Sequence, residues 1–235
     1  MKSLKQTAAI LVFVCSLLAY CAQAEAGRFF IVGVDETGSY DLRSRSMAIL
    51  ENLILEVMEP GDAMLGRRIT DKSYLDTPEI QLLPQILLIP ETSQTKNNTF
   101  NLRAKRQVES ERNQQSIVRL QAIKHLRALK PVKAPRTDIH GFFAAAADRL
   151  AMADAYTEKY VIVASDMIDN QKLASSIDLH GARVVILAFQ KDFDPKKTMK
   201  TREYWEKTIM AMKAGSVLFL NPEQNITVAL SQGGS

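Results

Sequence analysis

Apolar and polar positions along the chain follow two alternating periods. Phe29-Phe30-Ile31-Val32-Gly33-Val34 is continuously apolar. That is the pattern of a strand covered on both faces in a parallel sheet, not the in–out alternation of a half-exposed one. Met47, Leu50, Ile54 and Val57 then fall at helical spacing and stop at Pro60-Gly61. Asp62 to Thr70 reads as a second strand through Ala63, Leu65 and Ile69. Ile80 to Ile89 is apolar too, but Pro84 marks it as an edge strand or an irregular crossing. Glu91 to Phe100 is polar and reads as a loop. From Leu102 to Leu129 the composition turns helical, with an apolar stripe at Val118, Ala122, Leu126 and Leu129. Its opposite face carries Arg103, Lys105, Arg106, Glu109, Glu111 and Arg112, so the amino-terminal half is expected to project into solvent before Pro131 and Pro135 end the element.

Thr137-Asp138 has the character of a helix cap ahead of Phe142, Ala146 and Leu150, which are spaced by four along one face. Three further β-rich runs follow, Tyr160–Ala164, Arg183–Phe189 and Ser216–Leu220. Helical segments around Leu173 and from Lys197 to Lys213 separate them. Strands alternating with helices predict an α/β fold with a doubly wound, mostly parallel central sheet flanked by helices. The expected organisation is a single domain over 25–235 with an irregular insertion around 66–101.

Residues 1–24 look like a cleaved signal peptide. Lys2 and Lys5 supply a positive start, Ala8 to Ala19 is apolar, and Ala22-Gln23-Ala24 gives a small-x-small cleavage pattern. The apolar stretch falls short of the ~20 residues needed to span a bilayer. Acylation at Cys21, behind Leu18-Ala19, is the competing lipoprotein reading, and Tyr20 stands where that reading needs a small residue. Cleavage after Ala24 takes 24 of 235 residues, leaving 211, and removes both cysteines, Cys15 and Cys21. An exported chain without cysteine depends on its core for stability. Without Lys2 and Lys5 the 30 basic residues become 28 against 26 acids. That balance argues for neither nucleic acid nor a membrane surface as partner. The expected location is periplasmic or secreted.

The candidate chemistry lies in Asp35-Glu36-Thr37-Gly38-Ser39, directly after the first apolar run. A carboxylate and two hydroxyls, two residues apart, are gathered at the carboxyl end of a strand, where open α/β sheets bind ligands. Oxygen donors of this kind suit a hard divalent cation, with magnesium taking about six oxygens at about 2.0–2.1 Å and keeping several waters. The competing reading is a polar turn capping the next helix. His125, His140 and His180 have no zinc-like spacing. His140 follows Thr137 and either rims the site or packs.

With Asp35-x-Thr37-x-Ser39 after the first strand, Thr137-Asp138-Ile139 opening a helix and Ser165-Asp166 ending a later strand, the chain resembles the von Willebrand factor type A family over most of 28–220. The resemblance implies a metal-ion-dependent adhesion site. Thr37, Ser39 and Thr137 would offer hydroxyl oxygens to Mg²⁺, with Mn²⁺ or Ca²⁺ as alternatives. Asp35 and Asp166 would hold its waters or neutralise its charge. An ion with few direct carboxylates stays electrophilic, so an acidic side chain of a protein partner could complete its sphere. Thr37 departs from the serine usual in the family. It keeps the hydroxyl but restricts the rotamer.

Two other readings remain. One is a magnesium-dependent phosphohydrolase of haloacid-dehalogenase-like type with Asp35 as nucleophile. Such enzymes usually carry a second aspartate two residues on, where Thr37 stands. The other is a metal-free scaffold of the same fold. The expectation is a cation-dependent binding module and not an enzyme.

Overall fold

Arg28–Asp35 (β1) takes the middle of a six-stranded sheet because both of its faces are apolar and buried. The structure is a computed structural model and describes residues 27–38, 40–92, 102–169, 176–187, 189, 194–221, 223–224 and 226–231. The expected signal peptide with Cys21, Ser39, and the helix expected around Leu173 lie outside the described residues.

After β1 come α1 (Arg43–Asn52), β2 (Ala63–Ile69), β3 (Leu87–Leu88), α2 (Leu102–Ala128), α3 (Ile139–Leu150), β4 (Glu158–Ala164), β5 (Arg183–Leu187), α4 (Pro195–Ala211), β6 (Ser216–Phe219) and α5 (Ile226–Ser231). The strand order is β3-β2-β1-β4-β5-β6, with every pair parallel except β2–β3. This is the doubly wound α/β sheet that the apolar runs predict. The chain winds outward one way from β1 through β2, then returns to β4 on the other flank. The order therefore reverses between β1 and β4, and the carboxyl ends of those two strands form the crevice where such sheets bind ligands.

Side-chain alternation divides the core into two layers. Phe29, Ile31, Val161, Val163, Val184 and Ile186 face one way and pack against α3 and α4, around Phe142, Phe143, Trp205 and Ile209. Phe30, Val32, Val34, Tyr160, Ile162 and Ala164 face the other, against α1, α2 and α5. Gly33 belongs to the first layer. A Cβ there would lie 2.6 Å from Phe142 Cε2, so β1 and α3 approach closely only because that side chain is missing.

Three expectations need correction. The helix through Ile54 and Val57 is not uniform: α1 ends at Asn52, and Leu53–Val57 continues as a π-turn closed by Met58 N–H to Leu53 O at 2.9 Å. The wider turn keeps Leu53, Ile54 and Val57 on the sheet. Residues 66–69, where the expected second strand and the expected insertion overlap, belong to β2, which is buried along its whole length. Arg67 and Arg68 interrupt its apolar pattern, yet both are buried, with their guanidinium groups paired. Arg67 reaches Asp76 and the carbonyls of Ser73 and Leu75, so one buried arginine organises the irregular segment that follows. In α2 the face against the sheet includes Ile123, which the stripe omits, beside Ala122 and Leu126. Its amino-terminal half is largely exposed, as its charges predict. Among the described residues no helix is long and apolar enough to cross a membrane.

Candidate metal centre

Asp35 is the last residue of β1 and is fully buried. Its Oδ1 accepts from the Thr37 amide at 2.9 Å and the Thr37 hydroxyl at 2.6 Å. Its Oδ2 accepts from the Ser165 hydroxyl at 2.7 Å. Burial pushes the Asp35 carboxyl above its ordinary range and the nearby Asp166 charge pushes the same way, while the bonds from Ser165 and Thr37 pull against them.

Sheet register explains the placement. Val34 pairs with Ala164, so the next residues along the two strands, Asp35 and Ser165, emerge side by side. Asp166 follows at once. It is 8 % exposed, and its Oδ1 accepts from the Ile168 amide at 2.9 Å. On the other flank Asp35 pairs with Ile69, and the next carbonyl, Thr70 O, accepts from Asp138 N at 2.9 Å. That bond anchors the start of α3 to the end of β2. Asp138 then caps the helix by accepting from Gly141 N at 2.7 Å, the role its position predicts. Thr137, one residue earlier, is buried with its hydroxyl donating to Thr37 Oγ1 at 3.1 Å.

The fold thus brings Asp35, Thr37, Thr137 and Asp166 to one place from three separated segments. Ser39 lies outside the described residues. Gly38 sits in the turn closed by Tyr40 N to Thr37 O at 3.2 Å. A Cβ at Gly38 would meet nothing within 4 Å, so this turn needs no glycine for space.

Glu36 goes the other way. Successive side chains at a strand end point to opposite sides, and the fully buried Glu36 carboxylate pairs with Arg43 at 2.7 Å and Arg68 at 3.0 Å. It also accepts from Val132 N at 3.2 Å. This second acid of the Asp35–Ser39 segment ties α1, β2 and the chain ahead of α3 together behind the site.

His140 is a packing residue. Its Nδ1 is 2.5 Å from Asp169 Oδ2, which also accepts from the His140 amide at 3.1 Å. Its ring lies 4.9 Å from that of Trp205. Trp205 Nε1–H donates to Met167 O at 2.7 Å, so the loop behind Asp166 is held from α3 and from α4.

The donor set fits a hard cation. It combines two carboxylates with hydroxyls already polarised toward one of them, in a buried setting that raises the cost of Asp35's charge. Among the described residues no three His, Cys, Asp or Glu side chains gather closely enough to hold a metal on their own. Threonine hydroxyls would have to supply direct ligands here. In the sequence Ser165 stands out only as the neighbour of Asp166. The signal that would have found it is its level with Asp35 in a paired β1 and β4.

No protein-family model matches this sequence, and neither does any curated protein. Solved structures do overlay it. The pilus adhesin SpaC from Lactobacillus rhamnosus GG, in an open conformation, gives a TM-score of 0.52 at 10% identity over 90% of this chain, which covers 30% of the adhesin. An aerotolerance-related membrane protein from Bacteroides fragilis, carrying multiple mutations to serine, gives 0.48 at 12% identity over 88% of this chain and 96% of that one. Proximal thread matrix protein 1 of the mussel byssus gives 0.44 at 11% identity over 88% and 47%. At 10% identity the likeness to the adhesin is one of fold alone.

Proposed function

We propose that this protein is an exported, type A-like binding module that holds a divalent cation at the carboxyl ends of β1 and β4 and engages a protein partner through it. One observation carries the reading: the Thr137 hydroxyl is brought within 3.1 Å of Thr37, whose own hydroxyl donates to the buried Asp35. Thr37, Ser39 and Thr137 would supply hydroxyl oxygens, with Asp35 and Asp166 balancing the charge through water. Mg²⁺ suits such oxygens and retains water readily, and Mn²⁺ or Ca²⁺ are the alternatives. When bound, the ion supplies an electrophilic position that an acidic side chain of a partner can complete. Export rests on the amino-terminal pattern of Lys2, Lys5 and Ala22-Gln23-Ala24. The likeness to a pilus adhesin is in line with protein binding.

A phosphohydrolase is not favoured. Asp35 is turned toward Thr37 and Ser165 by three hydrogen bonds rather than presented as a nucleophile. The position two residues on, where such enzymes usually carry their acid, is Thr37.

The test is isothermal titration of EDTA-stripped 25–235 with Mg²⁺, Mn²⁺ and Ca²⁺, beside Asp35→Ala and Thr137→Ala. Saturable binding by the native chain, lost in both variants, supports the reading. A folded native chain that binds none of the three leaves the metal-free scaffold.

A further inference from the structure

We propose that Ser165 is a positioning residue of the cation site, acting through Asp35. The inference rests on the cation-binding reading above and adds to it a residue outside the type A ligand pattern. Ser165 is fully buried, 130 residues from Asp35 in the chain, and its hydroxyl lies 2.7 Å from Asp35 Oδ2.

The direction of that bond follows from proton count. A serine hydroxyl has one proton and two lone pairs. The Met167 amide donates to Ser165 Oγ at 3.0 Å, occupying a lone pair. The single proton of Ser165 is then directed to Asp35. Thr37 acts on the opposite oxygen with its amide and hydroxyl, so the carboxylate is held from both ends and cannot turn about its own axis without losing a bond. Asp35 in turn accepts the Thr37 proton, and the Thr137 hydroxyl donates to Thr37 Oγ1. One chain of donors therefore runs from Thr137 through Thr37 to Asp35, and a second from Met167 through Ser165 to Asp35.

The turn that places the Met167 amide on Ser165 is itself held against a cost. Met167 has φ 60, a left-handed conformation that non-glycine residues rarely adopt and that persists only when surroundings fix it. Its side chain is buried in the first core layer, and its carbonyl accepts from Trp205. At the far end of the loop Asp169 is bonded to His140 in the first turn of α3. The loop from Ser165 to Asp169, which carries Asp166, is thus fastened to β1, α3 and α4. Hydrogen bonds that orient a metal's carboxylates typically change affinity by about 10–100-fold when removed.

The experiment is titration with Mg²⁺ and Mn²⁺ of the EDTA-stripped native chain, Ser165→Ala and Ser165→Thr. Circular dichroism at the titration temperature confirms that each is folded. The expected result is binding about tenfold or more weaker in Ser165→Ala, regained in Ser165→Thr to within about threefold of native. A residue serving the fold alone would lower the melting temperature of the stripped protein without changing the affinity of the folded fraction. Native binding with unchanged affinity in Ser165→Ala overturns this proposal and leaves the cation site standing. A native chain that binds neither of these ions, nor Ca²⁺ in the titration above, overturns both.

Discussion

The hydroxyl of Thr137 lies 3.1 Å from that of Thr37 across one hundred residues of chain, and two backbone anchors put it there. Asp138 N is bonded to the end of β2, and Ala134 N is bonded to Glu36 O at 3.2 Å. Thr137→Ala removes one of the proposed hydroxyl ligands and one buried hydrogen bond. It is expected to weaken Mg²⁺ binding at least about tenfold while lowering stability by only ~1 kcal/mol. Thr137→Ser keeps the oxygen and is expected to keep binding. Calorimetric titration beside urea unfolding separates the two effects. Equal affinity in Thr137→Ala and the native chain would remove Thr137 from the site.

Asp35 gives the stripped protein a specific pH dependence. Its folded pKa is raised above the ordinary 3.8, first by burial, with Asp166 adding to it. Between 3.8 and that raised value the folded state binds more protons than the unfolded one, so Asp35's contribution to stability falls as pH rises through the window. A bound cation favours the ionised carboxylate and opposes the loss. Melting temperature measured against pH should therefore show a deficit toward neutral pH in EDTA that Mg²⁺ removes, and Asp35→Asn should flatten the EDTA curve. A native curve in EDTA with the same slope as Asp35→Asn would contradict this account of Asp35.

Much of this arrangement is legible in the sequence because strands and helices announce their ends. Phe29–Val34 breaks at Asp35 and Tyr160–Ala164 at Ser165-Asp166, and Asp138 precedes a helix with apolar residues every four positions. Asp35, Asp166 and Thr137 sit at those ends. What escapes is whatever depends on pairing between distant segments. Ser165 meets Asp35 only once β1 and β4 are in register. Glu36 shows only as a second acid beside Asp35 until β2 brings Arg68 to it. The strand over Ala63–Ile69 is legible, but Arg67 and Arg68 hide its full burial, because a charged residue fits there only with partners that local pattern does not show. The π-turn at Leu53–Val57 keeps the same apolar residues inward as a longer α-helix would, so spacing cannot separate the two.

Glu36→Ala should unfold the frame more readily than any loss within the cation set. The Glu36 carboxylate is enclosed between Arg43 and Arg68, and Arg68 has only 6% of its side chain exposed. Removing the acid leaves a guanidinium charge buried without its counter-ion, a change costing about 3–5 kcal/mol in comparable settings. Glu36→Gln retains acceptance from Val132 and one arginine and should lose less. Urea midpoints at constant slope measure both. A midpoint for Glu36→Ala within experimental error of native would show that water relieves Arg68, contrary to its burial.

Gly33 tests whether β1 and α3 act as one rigid unit behind the site. A Cβ on Gly33 would lie 2.6 and 2.7 Å from two ring atoms of Phe142 and 2.9 Å from Ile69 Cδ1. Neither neighbour has room to give way, since Phe142 and Ile69 are both fully buried in the first layer. Gly33→Ala should cost ~1–3 kcal/mol by overpacking, and the strain has one outlet, a shift of α3 away from the sheet. Thr137 stands at the head of that helix, so its distance to Thr37 would grow and cation affinity should fall as well. Phe142→Leu removes ring atoms where the new methyl would sit. Combined with Gly33→Ala it should recover part of both stability and affinity, giving the non-additivity expected of touching residues. Stability lost without any change in Mg²⁺ affinity would mean that the helix yields elsewhere along its length and that the bond from Asp138 to Thr70 alone fixes Thr137.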